Sequence, residues 1–160
     1  MEKLNYSMKA YLHLADEVGI HYFNQIKNHL LAYPGVKVAY SWKFERFSHG
    51  GETAVKLTIQ GRTLNIFYNL SLDDIDTDHY HVSDKRGAKM HQATPVAFKV
   101  RGPRQLKYAL ELIDLYFRKK GVVQGNVATI NYKLPTLSKE ELIKKRLIKI
   151  VRGNQDYRKR

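Results

Sequence analysis

The chain has no cysteine, which excludes disulfide staples, thiol catalysis and cysteine-built zinc sites. It has one tryptophan, four prolines and no apolar run approaching the roughly 20 residues that span a bilayer. The opening MEKLNYSMKAYLHLADEVG lacks the continuous apolar stretch and small-residue cleavage site of a secretory signal. Together these absences predict a soluble, cytoplasmic protein with no membrane span. The Gly-x-Ser-x-Gly elbow, the phosphate loop and the dinucleotide fingerprint are also missing. The sequence therefore predicts no catalytic residues, no cofactor and no enzymatic activity.

Positive charge is abundant. Lys and Arg number 28 against 15 Asp and Glu, a formal charge of +13, and such a field favours polyanionic partners. From Lys133 onward there are ten basic residues and only three acidic ones, so the charge concentrates toward the C-terminus. A chain of 160 residues accommodates one domain and an appendage. The expected division is an α+β domain over 1–120, a linker or edge strand over 121–137, and a basic amphipathic helix and tail over 138–160.

Hydrophobic period sets the expected elements. From Val36 to Phe44 every second residue is apolar (Val36, Val38, Tyr40, Trp42, Phe44), which reads as a half-buried strand with a bulge or bend near Phe47. Residues 5–14 alternate more weakly and predict a first strand. Asp16 caps a helix to about residue 33, with Tyr22, Phe23, Ile26 and Leu30 inward, Lys27 and Asn28 pointing away, and Pro34-Gly35 as its stop. TAVKLTIQ (53–60) and RTLNIFYNL (62–70) form a hairpin turned at Gly61. Residues 71–94 are polar, and a segment that long inside a compact domain predicts short local structure within it. A strand at 95–101 and a helix from Pro103 to about 119 close the domain. Ser138 and Glu141 form a capping box for a helix to residue 152, with Ile143, Leu147, Ile150 and Val151 on its apolar side.

The expected order is β-α-β-β-β-β-α, a curved antiparallel sheet with helices on one face. It resembles the half-repeat of the TATA-binding-protein-like fold, an analogy of fold alone. The wording SWKFERF (41–47), AVKLTIQGRTLNIFYNLSLDD (54–74), Thr94-Pro95 and LKYALELI (106–113) resembles an uncharacterised family of small bacterial α+β domains. Its members share the Ser-Trp-Lys-aromatic-Glu strand and the Gly-x-Thr-Leu hairpin. The resemblance spans about residues 6–118 and implies neither an activity nor a site. Lys85, Arg86 and Lys89 depart from a region that tends to be acidic in that family.

Three readings of function follow. In the first, alternation brings Lys37, Lys43, Lys56, Lys99 and Arg101 to one outward sheet face, with Arg62 at its rim and Phe67 exposed for stacking. Lys145, Arg146, Lys149 and Arg152 add a basic stripe on the last helix. Cations meet phosphates and rings stack on bases, so this is a non-enzymatic nucleic-acid-binding protein. RNA is favoured over duplex DNA, since no recognition helix is evident. The plain alternative is a solvated sheet face, and Glu45, placed on that same face, weighs toward it. In the second reading, residues 138–152 dock their apolar side on a protein partner. In the third, the domain binds a ligand or acts as an enzyme through the 73–91 loop, which predicts a deep apolar pocket near Trp42 and dependence on His79 or His81. The Asp and His residues of that loop lack the convergent spacing of a metal site, so none is predicted.

Overall fold

The computed structural model of the chain describes residues 2–152. The elements in chain order are β1 (Glu2–Tyr6), α1 (Met8–Leu14), α2 (Glu17–Leu31), β2 (Lys37–Tyr40), β3 (Glu45–His49), β4 (Glu52–Gln60), β5 (Thr63–Tyr68), α3 (Thr77–Tyr80), β6 (Ser83–Asp84), β7 (Val96–Val100), α4 (Pro103–Lys119), α5 (Lys139–Lys144) and β8 (Ile148–Arg152). The fold is α+β. Six strands form one antiparallel sheet in the order β2-β3-β4-β5-β7-β6, and β1 and β8 form a separate antiparallel pair. No helix among the described residues is long and apolar enough to cross a membrane.

β4 and β5 are the centre of the sheet. Their alternating Val55, Leu57, Leu64, Ile66 and Tyr68 are buried against α2 and α4, which supply Phe23, Ile26, Leu30, Leu112, Ile113 and Phe117. Tyr33 stacks on Phe117 with centroids 4.0 Å apart, and Tyr68 Oη donates to Ala109 O at 3.0 Å. The hairpin turns at Gly61, whose φ of 62° is a conformation a side chain would strain. α2 starts where Asp16 accepts a hydrogen bond from Gly19 N, and α4 starts at Pro103, where a missing amide proton costs nothing.

Three expectations give way. The alternating stretch at 5–14 is a strand only to Tyr6. Ser7 then caps a helix by accepting from Ala10 N. Both sides of α1 are covered, with Met8 and Leu12 in the main core and Ala10 in a second cluster with Leu142 and Ile148, and burial on two faces imitates a period of two. The stretch from Val36 to Phe44 is a strand only over Lys37–Tyr40, at the edge of the sheet. It breaks at Ser41, whose N–H and hydroxyl both donate to Phe44 O, so Trp42 and Lys43 lie at a hairpin tip and Tyr40 is 67% exposed. The bulge falls between Phe47 and Ser48, where the register skips Ala54.

The third concerns the C-terminal part. The capping box at Ser138 and Glu141 is present, but α5 ends at Lys144 and Arg146 reverses the chain with φ 62°. Ile148 to Arg152 then pair with β1, Tyr6 opposite Ile148 and Leu4 opposite Ile150. There is no basic helix to residue 152: β-branched residues at 148, 150 and 151 fit a strand as well as a helical stripe, and the partner strand decides. Residues 121–137 form no ladder. They cross α2 as a strap held by side chains, with Asn28 Nδ2 donating to Ile130 O, Tyr132 N donating to Asn24 Oδ1 and the His13 ring donating to Pro135 O. The expected tail beyond 152 lies outside the described residues.

Candidate functional site

The outward sheet face expected to be open is partly roofed. The polar segment between β5 and β7 contains a 3-10 turn, Lys89–His91, that folds over the sheet. The His91 ring stacks on Phe67 with centroids 4.0 Å apart and planes 6° apart, and Phe44 meets both rings edge-on. Lys56 lies within this box. Its Nζ donates to Met90 O at 2.7 Å and to His91 Nδ1 at 3.1 Å, and sits 4.5 Å from the Phe44 ring centroid. Lys56 and Phe67 are therefore 5% and 6% exposed, and neither is available to phosphate or base. Burial, then the charge of Arg46, pushes the Lys56 ammonium below its usual range. Burial and the charges of Lys56 and Lys85 lower His91 in turn, which suits a neutral ring whose Nδ1 accepts. An apolar ring at an outward strand position was the available signal: Phe67 between two asparagines called for a cover.

The other expected cations fall in several places. Lys37 is exposed on the edge strand β2, and Arg62 is exposed at the β4–β5 turn. Lys43 at the hairpin tip donates to Tyr6 O at 3.2 Å. Lys145 and Arg146 are exposed in the turn after α5, and Lys149 Nζ lies 4.3 Å from the Trp42 ring centroid. Arg152 ends β8, and its side chain lies outside the described residues. Only Lys99 and Arg101 come together as expected. They line a groove of about 320 Å³ beside β7 with Arg104, His79, His81 and Tyr108.

That groove has a built aromatic side. α3 is one turn long, capped by Asp76 and stopped by His81 in the left-handed region at φ 54°. It presents His79 and Tyr80 to Tyr108 of α4, with centroid separations of 4.6 Å (His79–Tyr80), 4.7 Å (His79–Tyr108) and 5.3 Å (Tyr80–Tyr108). Tyr80 Oη donates to Glu111 at 2.9 Å, and burial together with this bond pushes the phenol up to about 12. Lys99, Arg101 and Arg104 take part in none of the ion pairs among the described residues. A neighbouring cleft of about 430 Å³ is different, since its Lys119 and Lys120 pair with Asp74 and Glu52. Among the described residues no three His, Asp or Glu side chains are arranged to hold a metal ion.

A second site lies at the opposite edge of the sheet. A cavity of about 670 Å³ opens beside Trp42, walled by Tyr40, Phe44, Tyr132, Leu134 and Leu147. Its floor holds Lys27 and Glu45, with Nζ and Oε1 2.8 Å apart and side chains 7% and 4% exposed. Lys27 and Asn28 do not point away from the core, and Glu45 does not share the basic face: it projects toward α2. Lys27 sits among the rings of Tyr132, Tyr40 and Phe23, at 4.5, 5.1 and 5.5 Å from their centroids. Burial pushes the Glu45 carboxyl up against the pull of Lys27, and burial lowers Lys27 less than Glu45 and Tyr40 raise it. The apolar pocket near Trp42 is thus present, and His79 and His81 line the other groove rather than this one. No family model, no curated protein and no solved structure matches the chain.

Proposed function

We propose that this domain is a non-enzymatic binder of single-stranded nucleic acid, RNA in preference to duplex DNA, through the groove between α3, β7 and the start of α4. The observation that carries this is the juxtaposition of Lys99, Arg101 and Arg104, outside any ion pair among the described residues, with the ring cluster of His79, Tyr80 and Tyr108. Three cations can neutralise phosphates while a flat ring stacks on a base, and the net charge of +13 draws the strand in from a distance. A groove that reads backbone and unpaired bases suits RNA loops and single strands, and among the described residues no helix-turn-helix is present to enter a major groove.

The test is fluorescence anisotropy with labelled single-stranded RNA over a salt series. Three neutralised phosphates predict a slope of log K against log salt of about −2. Lys99→Glu with Arg104→Glu lowers affinity at least about tenfold at low salt. Phe67→Leu leaves affinity unchanged, because that ring is covered by His91. Point substitution is preferable to truncation, since removing the C-terminal part would strip β8 from β1. Binding that ignores salt, or that survives the double charge reversal, would overturn the assignment.

A further inference from the structure

The cavity beside Trp42 is not part of the basic groove, and its chemistry is different. Its floor carries one buried cation and one buried anion, so no net charge is offered to a ligand there. The ring cage that would suit a cationic ligand is already filled by Lys27. Yet the floor is not closed on itself. Glu45 is 3% exposed, and its Oε1 accepts no aligned hydrogen bond, although Lys27 Nζ is 2.8 Å away. Held by that one poorly aligned contact, a buried carboxylate oxygen gains from a donor that arrives in line. Lys27 has three N–H bonds. One lies near Glu45 and one reaches Tyr40 Oη at 3.3 Å, which leaves a third for an acceptor alongside.

The occupant is thus a neutral group that presents donors to Glu45 and, adjacent to them, an acceptor to Lys27. Four aromatic side chains, Trp42, Phe44, Tyr40 and Tyr132, line the cavity, which favours a flat aromatic occupant. The volume, about 670 Å³, lies within the range of small-molecule sites. The rim carries the exposed Lys9, which favours an anionic tail on the solvent side. A guanine ring meets all of these: N1–H and the 2-amino group donate in parallel to one carboxylate, O6 is the neighbouring acceptor, and a sugar phosphate leads outward. We infer that the cavity between α2 and the β2–β3 hairpin binds a purine nucleotide of guanine type, with Glu45 and Lys27 reading the base edge and Lys9 meeting the phosphate.

Trp42 is the only tryptophan, so its intrinsic fluorescence reports on the cavity directly. The full chain is titrated with GMP, IMP, AMP, CMP and guanosine. GMP gives a saturable change with a Kd below about 100 μM. IMP, which lacks one donor to the carboxylate, binds several-fold more weakly, and AMP and CMP at least about tenfold more weakly. Lys9→Glu, at an exposed position, weakens GMP about tenfold and leaves guanosine unchanged. Glu45→Gln, with folding checked by circular dichroism, abolishes the preference for GMP over AMP. No saturable signal with GMP up to about 1 mM, or equal affinity for GMP and CMP, refutes the inference.

Discussion

Replacing Lys27 by methionine leaves the Glu45 carboxylate beneath the strap and the β2–β3 hairpin with no counter-charge. The two side chains are 7% and 4% exposed, so water entering from the cavity compensates only in part. Removing one partner of a buried pair costs about 3–5 kcal/mol. Losing the ammonium from three ring faces, at about 0.5–1 kcal/mol each where a face stays partly solvated, is part of that cost. For a chain of this size a cost near 4 kcal/mol lowers Tm by about 10 °C, a large share of the roughly 5–15 kcal/mol that holds a domain folded. Glu45→Leu is expected to cost a similar amount, by stranding Lys27. The double variant Lys27→Met/Glu45→Leu removes both charges together and is expected within about 2 kcal/mol of the parent, giving a coupling energy of at least about 4 kcal/mol. The assay is urea unfolding of all four proteins at neutral pH. A second arm lowers the pH. The Glu45 carboxyl is pushed up by burial, and more so without Lys27, so the folded Lys27→Met variant binds a proton before its unfolded chain does. Its deficit against the parent should shrink as the pH falls toward about 4.5. Single variants that each cost under about 1 kcal/mol, or strictly additive effects, would refute the argument that the pair is a desolvated unit.

Two further outcomes follow from the packing. His91 is held below the ordinary imidazole value, so the unfolded chain takes up a proton first, and stability should fall as pH drops below about 6.5; His91→Phe, which keeps the stack on Phe67, should flatten that slope in unfolding followed from pH 7.5 to 5. Leu142→Ala, at a fully buried position in the second cluster, should cost about 2–5 kcal/mol and expose the amides of β1 and β8 to hydrogen exchange before those of β4 and β5.

Local signals carried much of the main fold. The hairpin of TAVKLTIQ and RTLNIFY, its turn at Gly61, the cap at Asp16 and the proline-opened α4 all appear where period and capping chemistry place them. The elements whose local pattern misleads depend on distant partners. Ile148 to Arg152 is a strand because β1, from the other end of the chain, lies beside it. Lys27 reads as a surface residue of an amphipathic helix until Glu45, Tyr40 and Tyr132 converge on it from three segments. The sheet face was similarly opaque. Lys56 and Phe67 alternate outward as expected, but the roof that Met90 and His91 place over them comes from a polar stretch with no period of its own. In the groove, Lys99 and Arg101 were legible from alternation, whereas Arg104 and the rings of Tyr80 and Tyr108 became part of it only through the docking of α3 against α4.

The β1–β8 pair also has a mechanical consequence. Glu2 lies opposite Arg152, so these two residues sit side by side at the same end of an antiparallel ribbon. Tension between them pulls across the ribbon, along the direction of its hydrogen bonds, and loads those bonds one after another rather than together. Such a seam yields like a zipper at low force. As it opened it would draw Ile148 and then Leu142 out of the second cluster and uncover α1, while the six-stranded sheet, tethered further inside the chain, carried no load until the seam had parted.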